Sequence, residues 1–487
     1  MVPRDRRERM ETAARGRSAA AGTFLALAGL AAIRLSSLAP DPWEWDEVLL
    51  VNAVERGLDI RINQPHPPGY PLFVEAGWFL RSAGVSPFAA ALIVGTAGGL
   101  LSVLGVVFLG TRLGLSPPFA LLGALFYAFI PAVWLHGVRP LTDPAATAAF
   151  LFAAGVLVEV IRTARASQLL LAAFLTALTF GLRPQAGFAL LPLALVAAVR
   201  TARRPLGGRA VLIAAAAGIL LTVAIWLPAV EGSGGLTAFR ERLAEQGRYI
   251  HEVDRARASD LVRSLFWKRW FRDPFADSGL AYTLLVLAAG ALFVRARQAL
   301  HVLGVLLPVT IFSVLVLGAH SAPRYASTVL AAPCLLAALS LERLSETHRL
   351  AAAAAGAGLV AWLAWTAVPP ILEVHRRPSP SVAAMTALRE DPALRGRPLF
   401  YDGHLEVHLP RYLPGRAAVL IPDAGLPPTP AGSLVVATNG NTFGLANPIR
   451  TFRFEDRSLG RISRGRYLTV RIYEAGGEAG GPVTSSR

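Results

Sequence analysis

The dominant pattern in the sequence is an alternation of long apolar stretches with short polar segments. Most apolar stretches hold about 17–22 residues, and an α-helix of that length crosses a hydrocarbon core of roughly 30 Å. The pattern therefore predicts a polytopic α-helical membrane protein with about eleven transmembrane helices. The predicted helices cover residues 19–38, 88–110, 117–135, 143–161, 168–182, 186–199, 210–229, 278–294, 299–318, 325–341 and 350–369.

The arginines between these helices predict the orientation of the chain. If the helices alternate, the arginine-rich loops fall on one face, which the positive-inside rule assigns to the cytoplasm. Residues 1–18 then form a cytoplasmic basic N-terminus of a plasma (inner) membrane protein whose first helix is retained. The C-terminus and the long segments 39–87 and 230–277 lie on the extracytoplasmic side. One break is ambiguous, because Arg183-Pro184-Gln185 forms either a loop between two helices or a kink or re-entrant turn.

The composition changes after the last apolar stretch, at about residue 371. Short apolar runs there alternate with Pro and Gly turns, which is typical of strands, and Ser381–Arg389 predicts a helix. We expect a transmembrane domain over 19–370, a small extracytoplasmic α/β domain over 371–475 and a disordered tail over 476–487. The strand-like runs are Pro398–Tyr401, Ala417–Ile421, Ser433–Ala437 and Tyr467–Tyr473.

The composition supports a membrane protein and excludes other classes. Hydrophobic residues make up 54% of the chain and charged residues 16%, with a mean hydropathy of +0.48, whereas soluble domains carry about 25% charged residues. The net charge of +16 would suggest nucleic-acid binding in a soluble chain. Here the basic residues lie in loops between apolar helices, so no nucleic-acid partner is expected. Cys334 is the only cysteine, which excludes an intrachain disulfide and a cysteine-rich metal site.

Polar residues of catalytic type collect on the predicted outer face. Asp46 and Glu47 follow the first helix, where carboxylates either act as a base or metal ligands or form a solvated acidic loop. The proline-rich turn Gln64–Pro71 fixes the place of His66 and Tyr70, or serves only as a turn at the membrane. Asp143 begins a predicted helix and either caps that helix or joins the site.

Cations on the same face run against the positive-inside trend. Arg183 and Arg324 occupy short outer loops, where they either hold a phosphate or pyrophosphate or snorkel to lipid phosphates. His320 and Tyr325 accompany the second of these arginines. Lys268 and Arg269 belong to an aromatic and basic stretch that predicts a helix at headgroup level, either as an anchor or as a binding site for an anionic headgroup.

The order and sidedness of these elements resemble the GT-C glycosyltransferases over about residues 19–341. The similar groups are the protein O-mannosyltransferases, the aminoarabinose transferases and the bacterial Rgt-like group. The ordered pattern is an Asp-Glu pair, a His-Pro-Pro turn, an Asp-Pro and an Arg-Tyr. Its residues here are Asp46-Glu47, His66-Pro67-Pro68, Asp143-Pro144 and Arg324-Tyr325.

The resemblance implies an integral membrane glycosyltransferase that takes a hexosyl or pentosyl group from a polyprenyl-phosphate donor. The acceptor on the extracytoplasmic face is then a lipid, a glycan or a protein. By the same resemblance, Asp46, Glu47 and Asp143 are catalytic residues, with Asp46 either as the base on the acceptor or as the residue that organises the site. The sequence does not distinguish retention from inversion, although a single base suggests direct displacement with inversion. A divalent metal ion remains possible, although no ligand set in the sequence has a spacing that requires one.

The transferase interpretation has alternatives in other classes. A transporter or flippase would share the many helices, but its ionisable residues usually lie within spans and its halves repeat. A non-catalytic assembly protein would carry the Asp46 group as plain surface. The polar residues here gather at one face and no repeat is visible, which favours the enzyme.

Overall fold

A computed structural model describes residues 22, 24–250, 252, 268–317, 322–422, 425–439, 441–463 and 465–475. The described chain is mostly helical, as predicted, and its helices pack into one bundle with a large apolar core. Each of the eleven apolar windows contains a helix. The helices of the bundle are α1 (Phe24–Leu35), α2 (Trp45–Arg56), α3 (Pro71–Ser82), α4 (Pro87–Arg112), α5 (Pro117–Ala128), α6 (Pro131–His136), α7 (Thr142–Thr163), α8 (Ala166–Leu182), α9 (Pro184–Ala202), α10 (Gly207–Gly232), α11 (Leu236–Tyr249), α12 (Ser278–Val294), α13 (Ala296–Leu317), α14 (Ala331–Ser345) and α15 (Arg349–Arg376).

Six of the described helices are long and apolar enough to cross a membrane, or seven if a bent pair counts as one span. The six are α4, α7, α9, α10, α13 and the helix that begins at Arg349. The bent pair joins Lys268–Phe275 to α12 at an angle of 112°. The protein is therefore a multi-pass membrane protein, and the number of eleven spans stays a prediction.

The helix predicted over residues 117–135 is not continuous. It ends at Ala128 and a second helix begins at Pro131, because proline has no N–H with which to continue a helical ladder. Arg34, which is fully buried, donates from Nη2 to the Ala128 carbonyl at 2.6 Å. A carbonyl that the break leaves without a helical partner is thereby satisfied.

The helix predicted over residues 325–341 also begins late. A short 3₁₀ turn, Pro323–Ala326, precedes it, and α14 starts at Ala331. Proline favours the first position of such a turn because its φ is already helical. The turn carries Arg324 at the end of the bundle.

The loops predicted to be cytoplasmic meet at one end of the bundle. Nη1 of Arg112 lies 3.1 Å from a carboxylate oxygen of Glu159, and Nε of Arg200 donates to the Ile161 carbonyl at 3.5 Å. Arg295 and Arg343 both pair with Glu346. The basic loops therefore lie together, at the end opposite the site described below.

Three glycines of α4 allow the segment between α6 and α7 to pack against it. A Cβ at Gly95 would lie 2.3 Å from the Arg139 carbonyl oxygen, and one at Gly98 would lie 2.5 Å from the Ala145 backbone. A Cβ at Gly99 would meet the backbone of the same segment at 2.6 Å. Only glycine permits this approach, which fixes the positions of the polar residues in that segment.

A small α/β domain follows α15, as the composition predicts. Its strands are β1 (Leu399–Tyr401), β2 (Val419–Leu420), β3 (Ser433–Thr438), β4 (Pro448–Arg453) and β5 (Thr469–Ala475). They form one sheet in the order β2-β1-β3-β5-β4. Strand β1 pairs in parallel with β2 and β3, while β5 pairs antiparallel with β3 and β4. The strand β4 was not predicted, because its residues are mostly exposed and polar. The helices of the domain are α16 (Pro380–Glu390), α17 (His408–Tyr412) and α18 (Leu459–Ile462).

Two predicted segments extend beyond the described residues. The basic N-terminus and the tail over 476–487 lie outside them, as does most of the stretch 251–267. Helix α15 continues to Arg376, past the expected domain boundary at residue 370, and contains Pro369 and Pro370.

Candidate active site

The site is built on the first turn of α2. Glu47 accepts hydrogen bonds from the backbone N–H groups of Trp43, at 2.5 Å, and Glu44, at 3.0 Å. A carboxylate in this place satisfies N–H groups that the helix start leaves without partners. Asp46, the second residue of the helix, is thereby held at a fixed position at the end of the bundle.

A buried arginine connects two of the carboxylates. Nε of Arg139 lies 2.5 Å from Oε1 of Glu47, and Nη2 lies 3.4 Å from Oε1 of Glu44. All three side chains are fully buried, and the Arg139 guanidinium also packs over the Trp43 ring at 4.3 Å. Since buried charges need partners, these contacts stabilise the loop before α2.

A second arginine, Arg324, has a different carboxylate at each of its nitrogens. Nη1 lies 3.3 Å from Glu44, Nη2 pairs with Asp46, and Nε lies 3.9 Å from Asp143. Its side chain is only 3% exposed. Nη2 also donates to the Tyr325 hydroxyl at 3.1 Å. One guanidinium therefore gathers carboxylates from two helices and the loop before the first of them.

These neighbours determine the ionisation of Arg324. Burial alone would lower the pKa of its guanidinium, but the Tyr325 hydroxyl and the three carboxylates raise that pKa well above its ordinary value. The group is a permanent cation.

A third arginine, Arg183, lies beside the second. Its extended backbone (φ −161°) separates α8 from α9, so the break predicted there lies between two helices. Nη1 pairs with Oδ1 of Asp143, and the guanidinium packs near the rings of Tyr325, at 4.9 Å, and Tyr70, at 5.9 Å. Among the described residues, Nη1 is the only one of its nitrogens that donates a hydrogen bond to a carboxylate. Asp143 does not cap α7, because its carboxylate is directed to the arginines.

The proline-rich turn places a histidine against Asp46. Nε2 of His66 lies 3.4 Å from Oδ1 of Asp46, while Nδ1 lies 2.8 Å from the Pro67 carbonyl oxygen. The His66 ring also packs edge-on against Tyr70 at 5.3 Å. Gly69 has φ +116°, a conformation that favours glycine. The rigid turn predicted from the sequence thus brings its histidine to the carboxylate.

The structure brings most of the predicted residues into one cluster and separates others from it. Glu47 lies in the Arg139 pair rather than beside Asp46. His320 lies outside the described residues. Sequence analysis missed Glu44 and Arg139, although an arginine in a short outer loop was the signal that identified Arg183. The clustered residues are Asp46, His66, Tyr70, Asp143, Arg183, Arg324 and Tyr325.

The expected headgroup-level helix around Lys268 takes another form. Residues Lys268–Arg272 form a single π-helical turn that packs beside the turn Pro323–Ala326, and Trp270 is fully buried in the protein. Its indole therefore does not lie at a membrane interface. Lys268 is exposed and Arg269 is half-buried, and within the described chain neither forms an ion pair.

An apolar cavity is lined by α8, the helix that ends just before Arg183. It has a volume of about 450 Å³ and lies between α8, α9 and α10. Its wall follows α8 from Leu169 to Phe180, three residues before the arginine, and its lining is almost wholly apolar. The cavity could hold a hydrocarbon chain whose polar end reaches the site.

The described residues offer no ready-made site for a divalent metal. No group of three or more His, Cys, Asp or Glu side chains among the described residues could hold a metal ion. The carboxylates of Glu44, Asp46 and Asp143 instead surround the Arg324 guanidinium. We therefore derive no step through a metal.

Comparison with known proteins finds weak similarity to solved structures. No family model and no curated protein sequence matches the chain. The oligosaccharyltransferase of Archaeoglobus fulgidus, solved with zinc and sulfate, is 14% identical with a TM-score of 0.47, and the match covers 81% of this chain and 62% of that one. ArnT from Cupriavidus metallidurans in the apo state is 14% identical with a TM-score of 0.48, covering 93% and 98%.

A second ArnT structure, bound to undecaprenyl phosphate, is 13% identical with a TM-score of 0.47 over 93% and 97% of the two chains. This chain spans less than two thirds of the archaeal enzyme's length. These TM-scores and identities are low, so the resemblance to the GT-C glycosyltransferases stays a prediction from the sequence.

Proposed function

We propose that this protein transfers a sugar from a polyprenyl-phosphate donor to an acceptor on the extracytoplasmic face of the plasma membrane. The observation that carries the proposal is the contact between Asp46, His66 and Arg324 at the end of the bundle. It combines a carboxylate with a fixed cation, and a second arginine, Arg183, shares Asp143 with that cation. Base and phosphate-binding chemistry are therefore available at one place.

The donor phosphate is assigned to Arg183. Among the described residues, only Nη1 of Arg183 donates a hydrogen bond to a carboxylate, whereas each nitrogen of Arg324 faces one. A guanidinium with two adjacent N–H donors suits phosphate oxygens. Lys268 and Arg269 lie in a turn that packs beside the turn carrying Arg324. Because neither forms an ion pair within the described chain, they add positive charge that carboxylates do not neutralise there.

The apolar cavity supports a lipid-linked donor rather than a soluble one. Phe180 lines the cavity three residues before Arg183, so a hydrocarbon chain lying there would have the end of α8 that carries the arginine within the same region of the bundle. Undecaprenyl phosphate, the ligand of one solved structure named above, belongs to this chemical class. The cavity and the charges of this chain support a lipid-linked donor by themselves.

The reaction follows from the positions of these groups. Asp46 takes the proton of the acceptor hydroxyl or amine, and the acceptor atom attacks the anomeric carbon of the sugar. The bond between that carbon and the phosphate oxygen breaks, and Arg183 stabilises the charge on the departing polyprenyl phosphate. A single displacement of this kind inverts the anomeric configuration. Glu47 and Arg139 hold the helix that carries the base, so we assign them a positioning role.

Turnover of the donor tests this proposal. Membranes containing the wild-type chain are incubated with a panel of undecaprenyl-phosphate-linked hexoses and pentoses, and released undecaprenyl phosphate is measured by liquid chromatography and mass spectrometry. We expect release from one donor, and a loss of at least about 100-fold in Asp46→Asn. Asp59→Asn is the matched control, because Asp59 pairs with Arg61 outside the cluster. Equal release by Asp46→Asn and wild type would remove the mechanism.

A transporter or flippase remains the second candidate, and the same cavity favours it, since a lipid in transit would also need an apolar path. It predicts movement of the lipid-linked sugar between leaflets without consumption. Unchanged donor in the turnover assay, together with movement across the bilayer, would favour this alternative.

A further inference from the structure

We propose that the Arg324 guanidinium takes the place of a divalent cation between the carboxylates of this site. The inference rests on the proposed function for the role of Asp46 as base. It concerns how the base is kept ionised and oriented, so Arg324 is a positioning residue rather than a phosphate ligand.

The first support is the number of carboxylates around one group. Glu44, Asp46 and Asp143 lie against three different nitrogens of Arg324. Carboxylates that share a buried site repel one another, and without a cation between them one takes up a proton. A protonated Asp46 could not accept the proton of an acceptor. A cation at the centre is therefore a requirement of the chemistry.

The second support is the spacing of the oxygens. Around a guanidinium, carboxylate oxygens lie at hydrogen-bond distance beyond the nitrogens. Around a divalent ion such as Mg²⁺ or Ca²⁺ they lie roughly 2.0–2.6 Å from the centre. The described residues contain no group of three metal-ligand side chains close enough to hold an ion. The spacing here is that of the larger organic cation.

The third support is the way in which Arg324 is fixed. Glu44, which accepts from its Nη1 at 3.3 Å, is held on its other oxygen by Arg139 at 3.4 Å. The backbone carbonyl of Arg324 also accepts from the Ser327 hydroxyl at 2.7 Å. The cation is thus built into the fold through a second ion pair and does not need to be recruited from solution.

Manganese binding tests the proposal directly. The purified full chain in detergent is titrated with Mn²⁺, and bound ion is measured by electron paramagnetic resonance. We expect no stoichiometric site in the wild type. We expect about one bound Mn²⁺ in Arg324→Ala, because the three carboxylates, no longer held apart by the guanidinium, can close around an ion.

Two variants control this measurement. Arg324→Lys keeps a cation and should bind no Mn²⁺, and Arg324→Ala combined with Asp143→Asn should lose most of the gained binding. A wild-type Mn²⁺ site that Asp46→Asn abolishes would overturn the proposal, and this arm does not depend on the folding of any Arg324 variant. Failure of monodisperse Arg324→Ala to bind the ion would also overturn it.

The measurement is independent of turnover. A wild type that consumes no donor but gains Mn²⁺ binding in Arg324→Ala would remove the proposed transferase and leave the cation assignment intact. Normal turnover with a wild-type Mn²⁺ site would do the reverse.

Discussion

Nε2 of His408, in the C-terminal domain, donates a hydrogen bond to the backbone carbonyl of Trp43 at 3.2 Å. Trp43 immediately precedes the carboxylates of the site and donates from its indole to the Tyr467 carbonyl at 3.3 Å. The C-terminal domain is therefore a support for the loop that positions Asp46. This contact gives the domain a structural role that its sequence position alone does not reveal.

Acid should weaken this docking through His408. Burial lowers the pKa of its imidazole from the ordinary 6.5 to about 4, and among the described residues Nδ1 has no hydrogen-bond partner that could accept from a second N–H. The unfolded chain takes up a proton near pH 6.5, whereas the folded chain does so only near pH 4. Protonation of His408 therefore leaves the free energy of unfolding unchanged above about pH 6.5. It lowers that free energy by up to about 3 kcal/mol as the pH drops to 4.

The measurement is thermal unfolding in detergent between pH 7.5 and 4.5, for wild type and His408→Gln. Glutamine keeps a donor for the Trp43 carbonyl but does not titrate. We expect the wild type to lose more thermal stability than the variant as the pH falls. Parallel curves for both proteins would show that the histidine does not govern the acid response.

Arg139→Ala should destabilise the protein strongly. The substitution leaves Glu44 and Glu47 buried without their common cation, and loss of one partner of a buried pair costs about 3–5 kcal/mol. The change is measured by thermal or denaturant unfolding in detergent. Arg61→Ala is the control, because Arg61 lies on the surface and its removal should leave the unfolding midpoint unchanged. Equal midpoints for both variants would contradict the structural role of Arg139.

Gly95→Ala should disturb the site from a distance. The added methyl group would lie 2.3 Å from the Arg139 carbonyl oxygen, so the segment that carries Arg139 and Asp143 must shift. Overpacking of this kind costs about 1–3 kcal/mol, and donor turnover should fall with it. Gly304→Ala, which would meet nothing within 4 Å, is the matched control in another helix. Wild-type turnover in Gly95→Ala would show that the close contact does not position the site.

The sequence alone predicts the helices and much of the site, for a clear physical reason. A span must be long and apolar, and ionisable residues at its boundary are costly, so both leave a strong signal in one dimension. Asp46, Asp143, Arg183 and Arg324 all carried that signal. The pairing of Arg324 with three carboxylates carried none, because it depends on the packing of separate helices.

Other features could not be predicted because two structures share one pattern. The interleaved aromatics and cations around Trp270 suit an interfacial helix and also a buried turn, and the indole proves to be buried. The strand Pro448–Arg453 has exposed residues at nearly every position, so it lacks the alternation that marks a strand with one buried face. The sequence shows Pro131, but it does not show that Arg34 donates a hydrogen bond to the Ala128 carbonyl at the helix break.

The assignment of the donor phosphate to Arg183 is tested by native mass spectrometry of the purified protein, which compares the binding of undecaprenyl phosphate with that of undecaprenol. We expect the phosphate-bearing lipid to bind in preference to the alcohol. Arg183→Gln should lose that preference, while Arg81→Gln, which alters an exposed arginine at the end of α3, should keep it. Equal binding of the two lipids by the wild type, or an unchanged preference in Arg183→Gln, would contradict the proposed phosphate site.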